Sequence, residues 1–417
     1  MLNKDNVREL AYIARVDAIE PIPGKDRVEA AVVGGWRTMV RKGQFEPGDL
    51  GIYIEIDSKV PETEPFKFLE KYHYKIKTQK FKTFYSQGLL MHPSDFGGFQ
   101  YQDGDGQYYV HFGTDSYFKE NCDYRVHEFL TKKLGITYAT ADDNKRKAPS
   151  ADKYKKMAQR HPELFKKKWA RWMMKRNWGK KVMFAFFGKK KDKKGGWPAW
   201  VTKTDEERCQ NMPWLFEDPD WHDTEWIATE KIDGTSTTFT LKRGKGFRKP
   251  EYYVCSRNVC FDNPDKQCFY ETNVYLEMSE KYHIKDILER MLAEDRDLEY
   301  VTIQGETYGD GIQKRTYSTP NGYHSFMAFN LIFGYRGGSR RCNPLEMTNI
   351  LFPKGVPCVP IIAEVYKLPL DCDTLLLQAT GESALDKGLR EGIVFRDRKG
   401  ERSFKAVSNE FLAKYHG

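Results

Sequence analysis

The chain has 417 residues, with 68 Lys and Arg against 59 Asp and Glu, a net charge of +9, and 40% of its residues are hydrophobic. That is long enough for more than one domain and apolar enough to bury real cores, and 33 Gly with 19 Pro exclude a collagen-like or broadly disordered chain. No stretch approaches the roughly 18–20 apolar residues of a membrane span, and the first residues lack the basic-then-apolar pattern of a signal peptide, so the expectation is an intracellular protein with no membrane partner.

The first hundred residues read as all-β. In GDLGIYIEIDSKVP, Ile52, Ile54 and Ile56 alternate with Tyr53 and Glu55, the period of a half-buried strand, after a turn at Pro47-Gly48-Asp49. AAVVGG and WRTMVRKG are further short runs. The pattern suits a small OB-like β-barrel over residues 1–111, a fold that often holds single-stranded nucleic acid on basic and aromatic residues. Trp36, Arg37, Arg41 and Lys42 are candidates for such a face; with equal weight, Trp36 is a core residue and the cations are solvated.

Residues 112–196 are expected to be a basic, aromatic, largely helical linker or insert. Between Lys145 and Lys194 lie 20 Lys and Arg against three acids, a local +17 that leaves −8 for the rest of the chain. Phe165, Trp169, Trp172, Met173 and Arg176 follow helical spacing and give an aromatic stripe among cations. Three uses fit it: docking on a neighbouring domain, a nucleic-acid arm working through Lys166, Lys167, Arg171 and Lys175, and a helix lying on a membrane surface. The run KKKDKKGG at 189–196 reads as a loop, and Gly195-Gly196 marks the boundary into the last domain. The eight cysteines form no C-x2-C pair and read as reduced thiols.

The chemistry gathers in 197–417. In WIATEKIDGTSTTFTL a strand-like run from Trp226 to Glu230 delivers Lys231, Asp233-Gly234 make a turn, and Thr237 to Leu241 are again extended. A lysine held at such a turn is placed to act as a nucleophile. Its amine must first be neutral, which nearby positive charge or a metal promotes by lowering its pKa. Taken alone, a K-x-D-G tetrapeptide fits a surface lysine better than a catalytic one.

An ordered series of segments follows: VCSRN (254–258), QGETYGDGIQK (304–314), FMAFN (326–330), REGIVFRD (390–397) and SFKAVSN (403–409). With EKIDG they resemble the ordered motifs of the covalent nucleotidyltransferases, the superfamily of ATP-dependent ligases and capping enzymes, and SRN with G-E-x-x-G-x-G-I-Q-K resembles the RNA ligase 2-like branch. The barrel-like start, FYSQGLLM (84–91) and TDEERCQN (204–211) together resemble the Deinococcus/Naegleria-type RNA ligases. The resemblance implies an α+β protein whose residues 197–417 form a nucleotidyltransferase domain of antiparallel sheets with flanking helices.

Roles carry over by motif. Lys231 would attack the α-phosphate of ATP, with Glu230 and Ile232 beside it at the nucleotide. Glu306 would accept hydrogen bonds from the ribose hydroxyls, and Phe329 would stack on adenine. Glu391 would help hold Mg2+ or Mn2+. Lys405 would contact the α-phosphate and depress the pKa of Lys231, and Arg257 would grip a phosphate of the nucleotide or of the RNA end. Thr204, Arg208 and Gln210 would lie near the nucleotide. The implied partner is RNA with 3′-hydroxyl and 5′-phosphate ends, a nicked duplex or an RNA–DNA hybrid included, and the implied state a monomer. Lys405 stands twelve residues from Gly417, so no OB domain is expected after the last motif. The rivals are a DNA ligase or capping-like enzyme and a non-catalytic nucleic-acid-binding protein. One position departs from the RNA ligase 2-like pattern: Val407 stands where a second lysine is usual, and Lys414, Arg396 or the basic insert are candidates to compensate.

Overall fold

The computed structural model describes residues 1–3, 7–82, 84–139, 167–174, 176, 183, 197–198, 200–201, 203, 205–244, 246, 248–257, 259–261 and 273–416. The chain divides into two compact units, one formed by residues 1–138 with 196–417 and the other by 139–195.

The amino-terminal part is built from short antiparallel strands. Ala11–Arg15 pairs with Leu50–Ile54, which pairs in turn with Leu89–Met91; Ala18–Pro21, Val28–Val33 and Trp36–Arg41 form a second sheet. The described strands make these open sheets and no closed barrel. Ile52 and Ile54 point into one core with Leu10, Ile13 and Phe66, while Tyr53 points into another with Tyr12 and Trp36, so the alternation read from the sequence separates two buried faces rather than a buried and a wet one. The β part also runs past residue 111. Tyr108–Phe112 crosses that position, Cys122–Tyr124 and Thr137–Tyr138 are further strands, and Leu130, Leu134 and Ile136 complete the first core. Residues 112–138 are therefore strand and turn, not helical linker, because their apolar side chains close this core.

Two five-stranded sheets form the carboxyl-terminal part. The first runs Glu207–Arg208, Ser403–Val407, Gly392–Asp397, Trp226–Lys231, Ile361–Tyr366, and the second runs Glu251–Ser256, Thr235–Lys242, Leu298–Gly309, His324–Tyr335, Gly338–Arg341. Every pairing is antiparallel except that of Glu207–Arg208 with Ser403–Val407. Alternation in the second sheet is strict. Phe239, Leu241, Val301, Ile303, Phe326 and Leu331 pack under the helices Val274–Lys281, Ile284–Glu294 and Pro344–Leu351. Its other face carries Ser236, Thr238, Thr240, Thr302, Gln304 and Glu306, a polar face aimed away from that core. Asn273, Asn343 and Asp371 cap helices by accepting from backbone N–H groups, and Pro344 takes the first position of its helix.

The OB part and the ligase part share a core. Val407 and Leu412 are buried with Tyr12, Val16, Trp36, Tyr53 and Leu90. Trp36 is thus core: its indole donates to Asn211 Oδ1 at 2.6 Å, and Asn211 donates to Glu55 at 2.9 Å. Gly35 abuts residue 210 so closely that a Cβ there would stand 2.5 Å from Gln210 Cα, so only glycine fits. Arg37 is engaged by Glu20 and Asp373, whereas Arg41 and Lys42 are exposed.

In the second unit Lys168–Met174 is helical, Ala170 is buried, and Trp169 and Trp172 are half exposed, with the Arg176 guanidinium 3.8 Å above the Trp172 ring. Phe165, Lys166, Lys175, the loop at 189–196 and the Gly195-Gly196 boundary lie outside the described residues, as does the side chain of Arg171.

Candidate active site

Lys231 ends the strand Trp226–Lys231 of the first sheet, and Thr235 opens the first strand of the second, so the turn Ile232-Asp233-Gly234 bridges the two sheets. The turn is packed tightly. A Cβ at Gly234 would stand 2.3 Å from the Thr307 carbonyl and 2.9 Å from Glu306 Cγ, which brings Glu306 beside the lysine turn only because residue 234 is glycine. Glu230, just before the lysine, accepts from the Ala384 N–H at 2.8 Å, while its buried Oε1 has no partner. An unsatisfied buried oxygen next to Lys231 fits a group that waits for a donor on a ligand.

Phe329 has a geometric signature. Gln304 pairs with Asn330 and Gly305 with Ala328, so Phe329 is the extra residue of a β-bulge, the device that re-aims a side chain. It is only partly buried and lies against Ile232, Tyr308, Tyr317 and Val359. The Arg396 guanidinium, fully buried, fixes the bulge by donating to the Phe329 carbonyl and to Glu206, each at 2.9 Å. That engagement removes Arg396 as a substitute for a second lysine near Val407. Val407 itself is apolar because it faces the core shared with the OB part.

The charges are arranged differently from the sequence-based expectation. The Lys231 ammonium donates to Glu391 Oε2 at 2.7 Å, with the lysine side chain 24% exposed. Burial favours its neutral form, but Glu391 and Glu306 outweigh burial and hold its pKa above the usual lysine range. Repulsion between Lys405 and Lys231 does not reverse that rise. Lys405 instead donates to Asp205 at 2.7 Å, and burial pushes its own pKa down to about 8, with Arg8, Arg208 and Lys231 adding to the fall against Asp205.

Asp205 is a hub that motif reasoning missed. It accepts from Lys405, from Arg257 at 2.6 Å and from Arg8 at 3.1 Å, the last contributed by the OB part. Burial alone would raise its pKa; the three cations carry it well below the usual carboxylate range. Its signal was present in TDEERCQN, where three consecutive acids precede an arginine. Nothing near Arg8 in the sequence points to it. Of the neighbours named with it, Thr204 lies outside the described residues. Arg208 donates to Asp57 at 3.2 Å, and Gln210 is buried against Gly35 with its carbonyl accepting from that residue's N–H. Gln210 thus serves the contact between the two parts, away from the lysine.

Among the described residues no group of three or more His, Cys, Asp or Glu is placed to hold a metal. An ion that keeps several waters and takes only one or two carboxylates plus phosphate oxygens needs no such cage. Glu391 fits that requirement, and so does Asp233, whose buried Oδ2 has no partner.

The site's pH response follows from these groups. Glu306 is pushed up to about 8 by burial, with help from Glu391 and Asp233 against the pull of Lys231 and Arg257, so its charged form appears only toward that pH. Lys405 discharges over the same range, and Lys231 sheds its proton only above it. We expect kcat/KM for nucleotide attachment to climb steeply up to about pH 8 and then level off, while the rate at saturating ATP keeps climbing. Pre-steady-state labelling between pH 6 and 9.5 checks this; a flat profile would contradict it.

Residues 224–416 match the family model described as RNA ligase, and residues 10–93 match one described as an OB-fold domain. The chain therefore carries a region that matches an RNA ligase domain behind a region that matches an OB-fold domain. The fold agrees with solved structures of Naegleria gruberi RNA ligase. An apo mutant is 23% identical with a TM-score of 0.68, over 98% of this chain and 99% of that one. A mutant with ATP and Mn is 22% identical with a TM-score of 0.67, over 98% and 100%. A mutant with AMP and Mn is 23% identical with a TM-score of 0.66, over 98% and 99%. No curated protein matches the chain.

Proposed function

We propose that this enzyme is an ATP-dependent RNA ligase that joins a 3′-hydroxyl to a 5′-phosphate through a nucleotide carried on Lys231. The observation that carries the reading is the convergence of Lys231, Glu391, Glu306 and the bulged Phe329 at one turn between two sheets. The Naegleria structures with ATP, with AMP and with Mn support the choice of nucleotide and of a divalent cation, Mg2+ or Mn2+.

In the first step the neutral Lys231 amine attacks the α-phosphorus in line, a P–N bond forms, the P–O bond to pyrophosphate breaks, and pyrophosphate leaves. Glu391 holds the ammonium in the resting site and is placed to receive its proton. Phe329 would stack on adenine, Glu306 would take the ribose hydroxyls, and Glu230 would offer its unpaired oxygen to the base. Lys405 and Arg257 would exchange Asp205 for phosphate oxygens. A divalent cation, when bound, neutralises phosphate charge, and Glu391 and Asp233 would hold it. AMP then passes to the 5′-phosphate of the RNA, and the 3′-hydroxyl attacks that activated end, releasing AMP and sealing the strand.

No described helix is long and apolar enough to cross a membrane. We take nicked RNA duplexes and RNA–DNA hybrids as substrates and a monomer as the working state. The test is incubation with ATP labelled at the α-phosphate and Mg2+ or Mn2+, then denaturing electrophoresis: acid-labile label on the protein is expected, and its absence would refute the reading. Label from GTP alone would favour a capping-like enzyme, and RNA binding without label a non-catalytic protein.

The basic segment is assigned to holding RNA. Neutralising Lys166, Lys167, Lys168, Arg171, Lys175 and Arg176 together should weaken end-sealing at 150 mM salt by about tenfold or more, since each lost phosphate contact removes counterion release, and should leave self-adenylylation within about twofold. Equal loss of both activities would assign the segment to folding.

A further inference from the structure

The loop between the strands Leu298–Gly309 and His324–Tyr335 contains two consecutive non-glycine residues in the left-handed region, Tyr317 at φ 53° and Ser318 at φ 54°. L-residues resist this conformation, and two in succession persist only where surrounding contacts impose them; such strain gathers at functional sites. The contacts here are explicit. Arg315, nearly buried, grips Asp386 with both terminal nitrogens of its guanidinium, Nη1 at 2.6 Å, and donates to the Leu389 carbonyl at 3.2 Å. Ser318 Oγ donates to the same Asp386 at 3.1 Å, and the Arg315 guanidinium lies 4.4 Å from the centre of the Tyr317 ring.

The clamp delivers one group to one place. The Tyr317 hydroxyl accepts from the backbone N–H of Asp233 at 2.6 Å, two residues beyond Lys231, inside a buried cluster that also contains Ile232, Tyr308 and Phe329. A single phenol therefore touches the backbone of the lysine turn and packs in the cluster that holds the bulged aromatic.

We propose that Tyr317 is a positioning residue for Lys231, held in a strained conformation by the Arg315–Asp386 clamp so that its hydroxyl fixes the lysine turn for in-line attack. The inference rests on the reading of Lys231 as the nucleophile. Tyr317→Phe keeps the ring and its packing and removes only the hydroxyl. Attachment of labelled AMP at saturating ATP should slow by about 10–100-fold, the cost of a loosened reacting geometry, with KM for ATP within about twofold. Sealing of RNA supplied with an already adenylylated 5′ end, without ATP, bypasses Lys231 and should proceed at the wild-type rate. Asp386→Asn, which weakens the clamp but keeps the hydroxyl, should show the same pattern to a smaller degree. Unchanged labelling in Tyr317→Phe, or equal loss in both reactions, overturns the proposal. Failure of the wild type itself to take label overturns the underlying reading instead, so the two failures are distinguishable.

Discussion

Lys231→Ala is expected to abolish protein-linked nucleotide altogether while leaving the fold intact. The lysine is the last residue of its strand and its side chain is 24% exposed, so truncation opens no closed cavity. It does remove the partner of Glu391, whose carboxyl burial already pushes up, so the ammonium that offset that burial is lost. Loss of a nucleophile is not a matter of degree, because among the described residues no second lysine is paired with the Glu391 carboxylate. Sealing of pre-adenylylated RNA should survive in this variant, which separates loss of the nucleophile from loss of the site. Label retained by Lys231→Ala would show that another residue carries the nucleotide.

Asp205→Ala should be the most damaging single change to stability at the site. Asp205 is the common acceptor for Lys405, Arg257 and Arg8, and the side chains of Lys405 and Arg8 are only 10% and 7% exposed. Removing one partner of a buried ion pair strands the other, at a cost of about 3–5 kcal/mol. Arg8 keeps Glu55 at 3.2 Å, which limits its share, whereas Lys405 has no second carboxylate among its hydrogen bonds and salt bridges. The sign with pH is fixed by the depressed pKa of Asp205: the stabilisation is complete above the unfolded value near 4 and disappears only as strong acid protonates the folded carboxyl. Thermal melting checks this, and pyrophosphate supplies a second readout. An anion that settles among the stranded cations should restore about 2.7 kcal/mol at a hundredfold excess over its Kd. A variant that melts with the wild type and is indifferent to pyrophosphate would remove Asp205 from the phosphate site.

Much of the site was legible in the sequence because its chemistry is local. EKIDG, QGETYGDGIQK and FMAFN each place one candidate side chain on one strand, REGIVFRD places Glu391 just before one, and the alternation of Ile52 and Ile54 announced their strand, which ends before Ile56 turns into the other core. Other features depend on pairing between distant segments. That Phe329 is the extra residue of a bulge follows only from the register of its strand against Gln304 and Gly305. Lys405 was expected to act on Lys231, yet it faces Asp205, because the parallel pairing of Glu207–Arg208 with Ser403–Val407 brings residue 205 to its side. The limit at residue 111 fell short for a related reason: the apolar residues of 112–138, Phe112, Tyr124, Leu130, Leu134 and Ile136 among them, follow no long regular period and are recognisable as core only beside Ile13 and Ile54.

The valine at position 407 links substrate handling to architecture. In a ligase whose OB part hangs on a flexible tether, that part can be exchanged for another reader of nucleic acid without touching the catalytic sheet. Here the last strand puts Lys405 on Asp205 and Val407 into the same interior as Trp36 and Tyr53. Any graft of a foreign OB part must therefore rebuild the floor beneath Lys405, whereas the exposed Arg41 and Lys42 lie outside that interior and can be changed without disturbing it.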